Sequence, residues 1–287
     1  MYEIKRKATE PVLIQKKSMG MEYLTFPGLS ATGVVSNVFS TRIGGVSTGK
    51  YAQANFSHTR GDDPEHVDEN YRMISDIMGH GHKLDDFVCT FQTHTTNVRV
   101  VTEEDRGKGV CRDREYVDVD GLVTNVPGII LSTFHADCPP VYLVDPVKKA
   151  IGLCHSGWKG TLGEISKEAI SIMFREYGTD PADIHAAVGP SVCIDCYEVS
   201  SDVAERFIDK FGIDELMENE AIIDKGNGKY QLGLWNIIRL SLVNAGVKAS
   251  NIEITDICTC CNPDYLFSHR VQHEERGNLA AFLCLNE

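Results

Sequence analysis

Apolar residues recur at helical spacing in three stretches of the chain. The first stretch opens at Asp63, a helix-capping residue followed by proline, and is predicted to end near Gly79. The second begins with Thr161 and Glu164, which are spaced as a capping box, and Gly178 is expected to stop it. The third is LGLWNIIRLSLVNAG. The predicted inner faces are Val67, Tyr71, Ile74 and Met78; then Leu162, Ile165, Ala169, Ile172 and Met173; and then Trp235, Ile238 and Leu242.

Short runs of apolar residues alternate with these helices. Such runs are typical of strands that are covered on both faces. They fall within residues 87–91, 128–134, 141–144, 150–154, 185–188 and 280–285. The alternation predicts a mixed α and β fold. Because no low-complexity segment, fixed-period repeat or obvious linker interrupts the chain, we expect one domain over residues 1–287.

Reactive side chains gather at the ends of three of these runs. His94 follows the first run, Asp137 and Cys138 follow the second, and His155 closes the run over 150–154. The turn after His155 leads towards the second helix, whose N-terminus suits an anion. Taken singly, each histidine is equally typical of a hydrogen-bonding loop residue, and Cys138 of a buried structural thiol. Their occurrence together favours a site at the strand ends.

The cysteines allow more than one kind of site. The chain contains ten of them and is too long for a disulfide-stapled mini-domain, so we expect buried thiols, metal ligands or nucleophiles in a reducing compartment. Cys193 and Cys196 form a C-x-x-C segment, and CTCC adds Cys258, Cys260 and Cys261. Four thiolates drawn from these five residues could form a structural zinc site. Packing as small buried side chains is the alternative.

Composition and charge limit the partners. Hydrophobic residues make up 42% and charged residues 24% of the chain, which is ordinary for a globular protein. A formal net charge of -13 argues against nucleic acid or an anionic membrane as the main partner, although a few local arginines suffice for a small anion. The N-terminal segment lacks an apolar core of signal-peptide length, and no run approaches roughly 18 apolar residues. These features predict a cytoplasmic protein that binds neither nucleic acid nor membrane.

Segments distributed over residues 39–270 resemble, in order, the YfiH-type family. Its members are described as laccase-like polyphenol oxidoreductases and as purine nucleoside phosphorylases. The resemblance implies an α+β layered sandwich, in which two central β-sheets are flanked by helices. The segments that carry it are FSTRIGGVSTGKYAQANFS, GDDPEHVDEN, FQTH, VDVDGLVTNVPG, ADCPPVYLVDP, HSGWKG, VGPSVCIDCYEV and CTCCNPDYLFSHR.

The resemblance also implies a catalytic metal site. Carried over by motif, His94, Cys138 and His155 bind one metal ion, usually described as zinc, with copper as the alternative. Three protein ligands leave a fourth zinc position open, as in catalytic sites. The implied reactions are phosphorolysis of adenosine, inosine and methylthioadenosine, and deamination of adenosine. Deamination needs hydroxide at neutral pH, and zinc lowers the pKa of bound water to about 7.

The implied partners are a purine nucleoside and phosphate; protein partners are not predicted. Arg42, in the glycine-rich segment TRIGGVSTGKY, and Arg270 are the candidates for phosphate, because a guanidinium group matches its geometry. Asn55 is the candidate for the ribose hydroxyls or the base. The glycine-rich segment lacks the P-loop spacing, so a polar surface loop is its alternative interpretation.

The chain departs from the family pattern near its end. Val271 and Asn278 stand where relatives commonly carry arginine, which either weakens phosphorolysis or leaves it to Arg276.

Two other functions remain open: a copper-dependent polyphenol oxidase and an editing factor for cell-wall precursors. Copper oxidases draw on clustered His-x-His patterns. Here His80 and His82, after a helix, form such a pattern away from the strand-end residues.

Overall fold

The computed structural model describes residues 1–286 and contains helices of four to fifteen residues. No helix in this part of the chain is both long enough and apolar enough to cross a bilayer. The α-helices are α1 (Pro27–Ala31), α2 (Pro64–Met78), α3 (Trp158–Leu162), α4 (Ile165–Tyr177), α5 (Ser201–Phe211), α6 (Ile213–Glu218), α7 (Leu234–Asn244) and α8 (His269–Gln272).

The strands are short and most belong to two large sheets. In chain order they are β1 (Ile14–Ser18), β2 (Met21–Thr25), β3 (Val35–Ser40), β4 (Phe87–Cys89), β5 (Val98–Val100), β6 (Gly121–Thr124), β7 (Ile130–His135), β8 (Pro140–Asp145), β9 (Ala150–His155), β10 (His185–Val188), β11 (Glu198–Ser200), β12 (Ile222–Asp224), β13 (Lys229–Leu232), β14 (Ile252–Ile254) and β15 (Leu279–Leu285).

Two six-stranded sheets pack face to face. The strand order is β1-β2-β3-β15-β7-β4 in the first sheet and β14-β10-β8-β9-β6-β5 in the second. Leu131 and Leu283 of the first sheet share one buried core with Tyr142 and Leu153 of the second. Helix α2 covers the outer face of the first sheet, and α4 and α7 cover that of the second. A three-stranded sheet, β11-β13-β12, packs with α5 and α6. The fold class expected from the sequence is confirmed.

Two of the predicted helices form as expected, whereas the beginning of the predicted second helix is wrong. Asp63 caps α2 by accepting a hydrogen bond from the amide of Glu65, and α7 buries its predicted face. Thr161 and Glu164 form no capping box. Thr161 lies in α3 and bonds to Ser156, while Glu164 has a φ of 57° that separates α3 from α4. Leu162 consequently packs against the core of the third sheet.

All six predicted strands are present, with ends displaced by up to two residues. Strand β7 starts at Ile130 because Gly128 has a φ of 75° and turns the chain. Strands β8 and β9 are buried along their whole length, as their continuous apolar runs predicted. Within residues 1–286, four of the nine strands not predicted, β2, β3, β6 and β13, lie inside their sheets. The other five are edge strands such as β1, in which no residue is fully buried. Their residues carry little of the apolar signal on which the prediction depended.

Candidate metal centre

Two connections that run between the two large sheets and the end of one strand bring His94, Cys138 and His155 together. His94 lies between β4 and β5, Cys138 lies between β7 and β8, and His155 ends β9. One side-chain donor atom from each residue lies within 4.8 Å of the others. The Cys138 Sγ atom is 3.9 Å from His94 Nε2, and the imidazole centroids of His94 and His155 are 4.9 Å apart. The fold therefore assembles the three residues that the family resemblance selected.

The backbone adopts unfavourable conformations on both sides of this cluster. His94 has a φ of 65° and Asp137 a φ of 84°, in the region that disfavours residues other than glycine. Hydrogen bonds hold the second residue in place, because Asp137 accepts from the Thr259 hydroxyl at 2.6 Å and from the Arg270 amide at 2.7 Å. Such conformations persist only where the surroundings enforce them, and they concentrate at functional sites.

Asp120 is a buried carboxylate that orients both histidines. It accepts hydrogen bonds from the amides of Thr93, His94 and Thr95 and from Nδ1 of His155, at 2.8 to 3.1 Å. Burial raises the pKa of this carboxyl, but the hydrogen bond and charge of His155, together with the amides, outweigh it and lower the pKa to about 2. The bond to Nδ1 leaves Nε2 of His155 available as a ligand.

Electrostatic interactions favour the thiolate form of Cys138. Burial raises its pKa, but the charge of His155 and hydrogen bonds from His155 and His94 lower it to about 6. Burial lowers the pKa of His155, but Cys138 and Asp120 raise it to about 9. His135 differs: burial and the charge of His155 hold its pKa well below the usual range. A thiolate is the form of cysteine that binds metals and acts as a nucleophile.

Gly157 allows the cluster to close. A Cβ atom at this position would lie 2.8 Å from Cδ2 of His94 and 3.0 Å from Sγ of Cys138. Both distances are shorter than ordinary contacts, so any side chain here would displace a member of the cluster. Gly157, the glycine directly before α3 in the HSGWKG segment, thus leaves the space that His94 and Cys138 occupy.

The three residues line a cavity of about 410 Å³. This volume is within the range of small-molecule sites. Phe91 and Phe134 contribute aromatic surface, and Arg60, Arg114 and Arg276 contribute positive charge. The cavity therefore combines metal-ligating, aromatic and cationic groups within one space.

Arg42 and Arg270, the residues predicted to bind phosphate, are not brought into the lining of this cavity. The Arg42 guanidinium is half-buried and donates to the carbonyls of Ala52 and Pro263 at 3.0 and 2.8 Å. The Arg270 guanidinium donates to the carbonyl of Glu198 and stacks on a tyrosine ring. These guanidinium hydrogen bonds go to backbone carbonyls, and phosphate binding by Arg42 and Arg270 stays a prediction.

Asn55, predicted to contact the ribose or the base, is fully buried. Its side-chain amide donates to Ser57 and Asp62, and its carbonyl oxygen accepts from the amides of Ser57 and Asn278. Since Ser57 and Asn278 line the cavity, Asn55 supports the cavity wall through these two residues and is not itself part of the lining.

Sequence reasoning missed Asp120, although VDVDG was among the matching segments, and it missed Arg60, which lies in no recognisable motif.

We expect Asp120→Asn to weaken zinc binding roughly 10- to 100-fold, because it removes the negative charge beside His155 and replaces one of the two accepting carboxylate oxygens with an NH2 donor. Competition with a chelator measures the affinity. Asp118→Asn is the matched control, since Asp118 is an exposed neighbour and asparagine tolerates its φ of 56°. A variant that melts at a lower temperature but binds zinc like the wild type would restrict Asp120 to a structural role.

Comparison with known proteins agrees with this architecture. Residues 36–286 match the family model described as multi-copper polyphenol oxidoreductase laccase. Purine nucleoside phosphorylase YlmD of Bacillus subtilis is 32% identical over 253 residues, which cover 87% of this chain and 88% of that protein. Adenosine deaminase RL5, from an unknown prokaryotic organism, is 34% identical over 235 residues, 81% of this chain and 87% of that protein.

A solved structure has the same fold. The crystal structure of the Bacillus licheniformis hypothetical protein YfiH is 32% identical and superposes with a TM-score of 0.86, covering 94% of this chain and 98% of that one. The family match, the sequence relatives and the structural match all span most of the chain. The chain therefore belongs to the multi-copper polyphenol oxidoreductase laccase family, the YfiH-type family that its motifs resemble.

Proposed function

We propose that this protein is a zinc-dependent purine nucleoside phosphorylase that also deaminates adenosine. Adenosine, inosine and methylthioadenosine are the proposed substrates of phosphorolysis. The observation that carries the proposal is that His94, Cys138 and His155 line one cavity together with Arg60 and Arg276. The names of the relatives, purine nucleoside phosphorylase and adenosine deaminase, support the same two reactions.

The three side chains fit a zinc ion. Zinc–sulfur and zinc–nitrogen bonds of about 2.3 and 2.0 Å in a tetrahedral arrangement separate sulfur from nitrogen by roughly 3.6 Å. The observed separation of Cys138 Sγ and His94 Nε2 is 3.9 Å. Asp120 bonds to the other nitrogen of His155, as carboxylates do for zinc-binding histidines. Two imidazoles and one thiolate would therefore hold the ion and leave one position open.

A zinc ion in this site would supply a water molecule acidified enough to act as the nucleophile in deamination. The chain's own residues hold the substrate. Phe91 and Phe134 offer surfaces on which a purine can stack. In the reaction, water adds to the purine carbon that carries the amino group, and ammonia leaves.

Arg60 and Arg276 form the proposed phosphate site. Arg276 is only 9% exposed. Burial lowers its pKa, and the charge of Arg60 lowers it further, so the two guanidinium groups repel each other. Within residues 1–286, the Nε atoms of both arginines are buried without a hydrogen-bond partner. A phosphate dianion in the cavity would offset the two positive charges and accept hydrogen bonds from the guanidinium groups.

Phosphate bound at this site would attack the anomeric carbon of the nucleoside. A phosphate oxygen forms the new bond while the glycosidic electron pair leaves with the purine, so that ribose 1-phosphate and free base result. Arg60 and Arg276 hold the nucleophile, and the cavity wall positions the sugar. In this proposal Arg276 serves phosphorolysis, one of the two alternatives that the departures at Val271 and Asn278 left open.

Purified protein incubated with inosine and phosphate should release ribose 1-phosphate, and with adenosine it should release ammonia. Chromatography of both mixtures, with phosphate omitted as a control, tests the proposal. Oxidation of a phenol by dioxygen without either nucleoside reaction would instead support the copper-oxidase alternative. That alternative needs several histidine-rich metal sites. Among residues 1–286, the second group of potential ligands contains four cysteines and no histidine.

A cytoplasmic location is the remaining part of the proposal. All ten cysteines are free thiols, which is typical of proteins kept in a reducing compartment. The substrates proposed above are small and diffusible, so neither nucleic acid nor membrane contact is required for the reactions.

A further inference from the structure

Four cysteines meet at a second position, remote in sequence from the first. The sulfur atoms of Cys193, Cys196, Cys258 and Cys261 all lie within 4.8 Å of one another. Cys260, which the sequence also offered, is not a member of this group, and its sulfur is 3.3 Å from the hydroxyl of Ser268. With Cys261 in the group, both pairs have C-x-x-C spacing. Two such pairs are the ligand pattern of structural zinc sites.

We propose that these four thiols bind a structural zinc ion. Four zinc–sulfur bonds of about 2.3 Å in a tetrahedron place neighbouring sulfur atoms about 3.8 Å apart. The Cys196 and Cys261 sulfur atoms are 3.7 Å apart. Soft thiolate donors select zinc over magnesium or calcium. Since all four positions are filled by protein, the ion would have a structural and not a catalytic role.

The surroundings complete the site. The amide of Cys193 donates to the sulfur of Cys258 at 3.3 Å, a bond that stabilises a thiolate. Lys7 bonds to Asp195 at 2.9 Å and interacts with the charges of Cys193 and Cys261. A zinc ion with four thiolates carries a net charge of about -2, which a nearby ammonium group offsets.

A metal ion can reach the four-cysteine site from solvent. Cys193 and Cys258 are buried, whereas Cys196 and Cys261 are partly exposed. An ion can therefore reach the four sulfur atoms from the exposed side, as a workable metal site requires. The two buried ligands would anchor the ion to the core that α4 and α7 form with the second sheet.

The proposed ion would brace the wall of the first site. It would link residues 193–196 to residues 258–261; Thr259 in the second segment and Val192, directly before the first, already hold Asp137. The amide of Val192 donates to the carbonyl of Asp137 at 2.9 Å, and the Thr259 hydroxyl donates to its carboxylate at 2.6 Å. Asp137 precedes Cys138 and has an unfavourable φ of 84°. Zinc at the four cysteines would thus act on Cys138 through this neighbouring residue.

Metal analysis of purified variants tests the proposal. Cys261→Ser should lose about one zinc ion per chain relative to the wild type, because serine is a poor zinc ligand. Cys261→His should retain it, since histidine can replace one thiolate. Cys260→Ser is the matched control, with the same change one position away, and should keep the wild-type zinc content. Full zinc content in a folded Cys261→Ser would overturn the proposal.

Two further measurements keep the result interpretable. If Cys261→Ser does not fold, wild-type protein and Cys138→Ala are each reconstituted with cobalt. Both should show sulfur-to-cobalt charge-transfer absorption, because the four-cysteine site is intact in both. Loss of all such absorption in Cys138→Ala would contradict the proposed four-cysteine site. Thiol titration of wild-type protein denatured with chelator should find all ten cysteines reactive. Fewer reactive thiols would mean disulfides in place of the metal. Failure of the nucleoside reactions would leave these outcomes unchanged, because the Cys138 site is assayed separately.

Discussion

Cys138→Ala should lose about one zinc ion per chain and, with it, adenosine deamination. Two imidazoles remain in the variant, too few ligands to hold the ion firmly or to poise its water. We expect the deamination rate to fall roughly a thousandfold, since the ion contributes several kcal/mol to transition-state stabilisation. The protein should still fold, because Cys138 lies in a partly exposed connection outside the buried cores. Zinc content, circular dichroism and deamination rate are measured on one preparation.

Three outcomes of this experiment have different meanings. If the variant retains zinc at the wild-type level but loses activity, the Cys138 thiolate acts as an acid, base or nucleophile. That result would contradict zinc binding by His94, Cys138 and His155. Zinc and activity both retained, with a lower melting temperature, would make the residue a packing thiol. Cys138→Ser should behave like Cys138→Ala. Cys111→Ala, which changes an exposed thiol, controls for the loss of a cysteine and should match the wild type.

Arg276→Met should separate the two proposed reactions. Only phosphorolysis binds phosphate, so its kcat/KM should fall about a hundredfold, the equivalent of losing charged hydrogen bonds worth roughly 3 kcal/mol. Adenosine deamination should change little. Methionine retains much of the side-chain length and volume, which limits the disturbance of this buried position. Ribose 1-phosphate and ammonia production are compared on the same preparation.

Arg60→Met provides an independent test, because Arg60 is less buried and shares the proposed phosphate site. It should show the same selective loss. Arg175→Met, a change on the exposed face of α4, should leave both reactions intact. Equal losses in phosphorolysis and deamination for both cavity variants would assign Arg60 and Arg276 to the fold or to general substrate binding, and the phosphate site would then have to lie elsewhere.

Local sequence patterns predicted several elements correctly. Asp63 followed by proline marked the start of α2, and Gly178 marked the end of α4, where it has a φ of 71°. The same approach misplaced the start of α4. Thr161 and Glu164 have capping-box spacing, but Glu164 adopts a left-handed conformation and pairs with Lys210 of α5. The spacing of two residue types did not determine the backbone conformation there.

The sequence identified the candidate metal ligands more fully than the candidate phosphate-binding residues. His94, Cys138 and His155 stood out as strand-end residues, but their grouping came from family resemblance, because no spacing rule spans such separations. The phosphate candidates Arg42 and Arg270 stay predictions. Arg42 has a suitable side chain and a glycine-rich context, yet its donors bond to backbone carbonyls. Arg276, which lies shortly before β15, lines the cavity.

The sequence by itself determined the class of fold, the main buried strands and the family, since apolar periodicity, caps and ordered motifs are properties of neighbouring residues. That the chain is one domain stays a prediction. Only the tertiary structure decided that Cys261 and not Cys260 joins the four-thiol group, and that Asp120 orients His155. Both depend on which way a side chain faces after strands from distant parts of the chain have paired, and sequence spacing does not specify that direction.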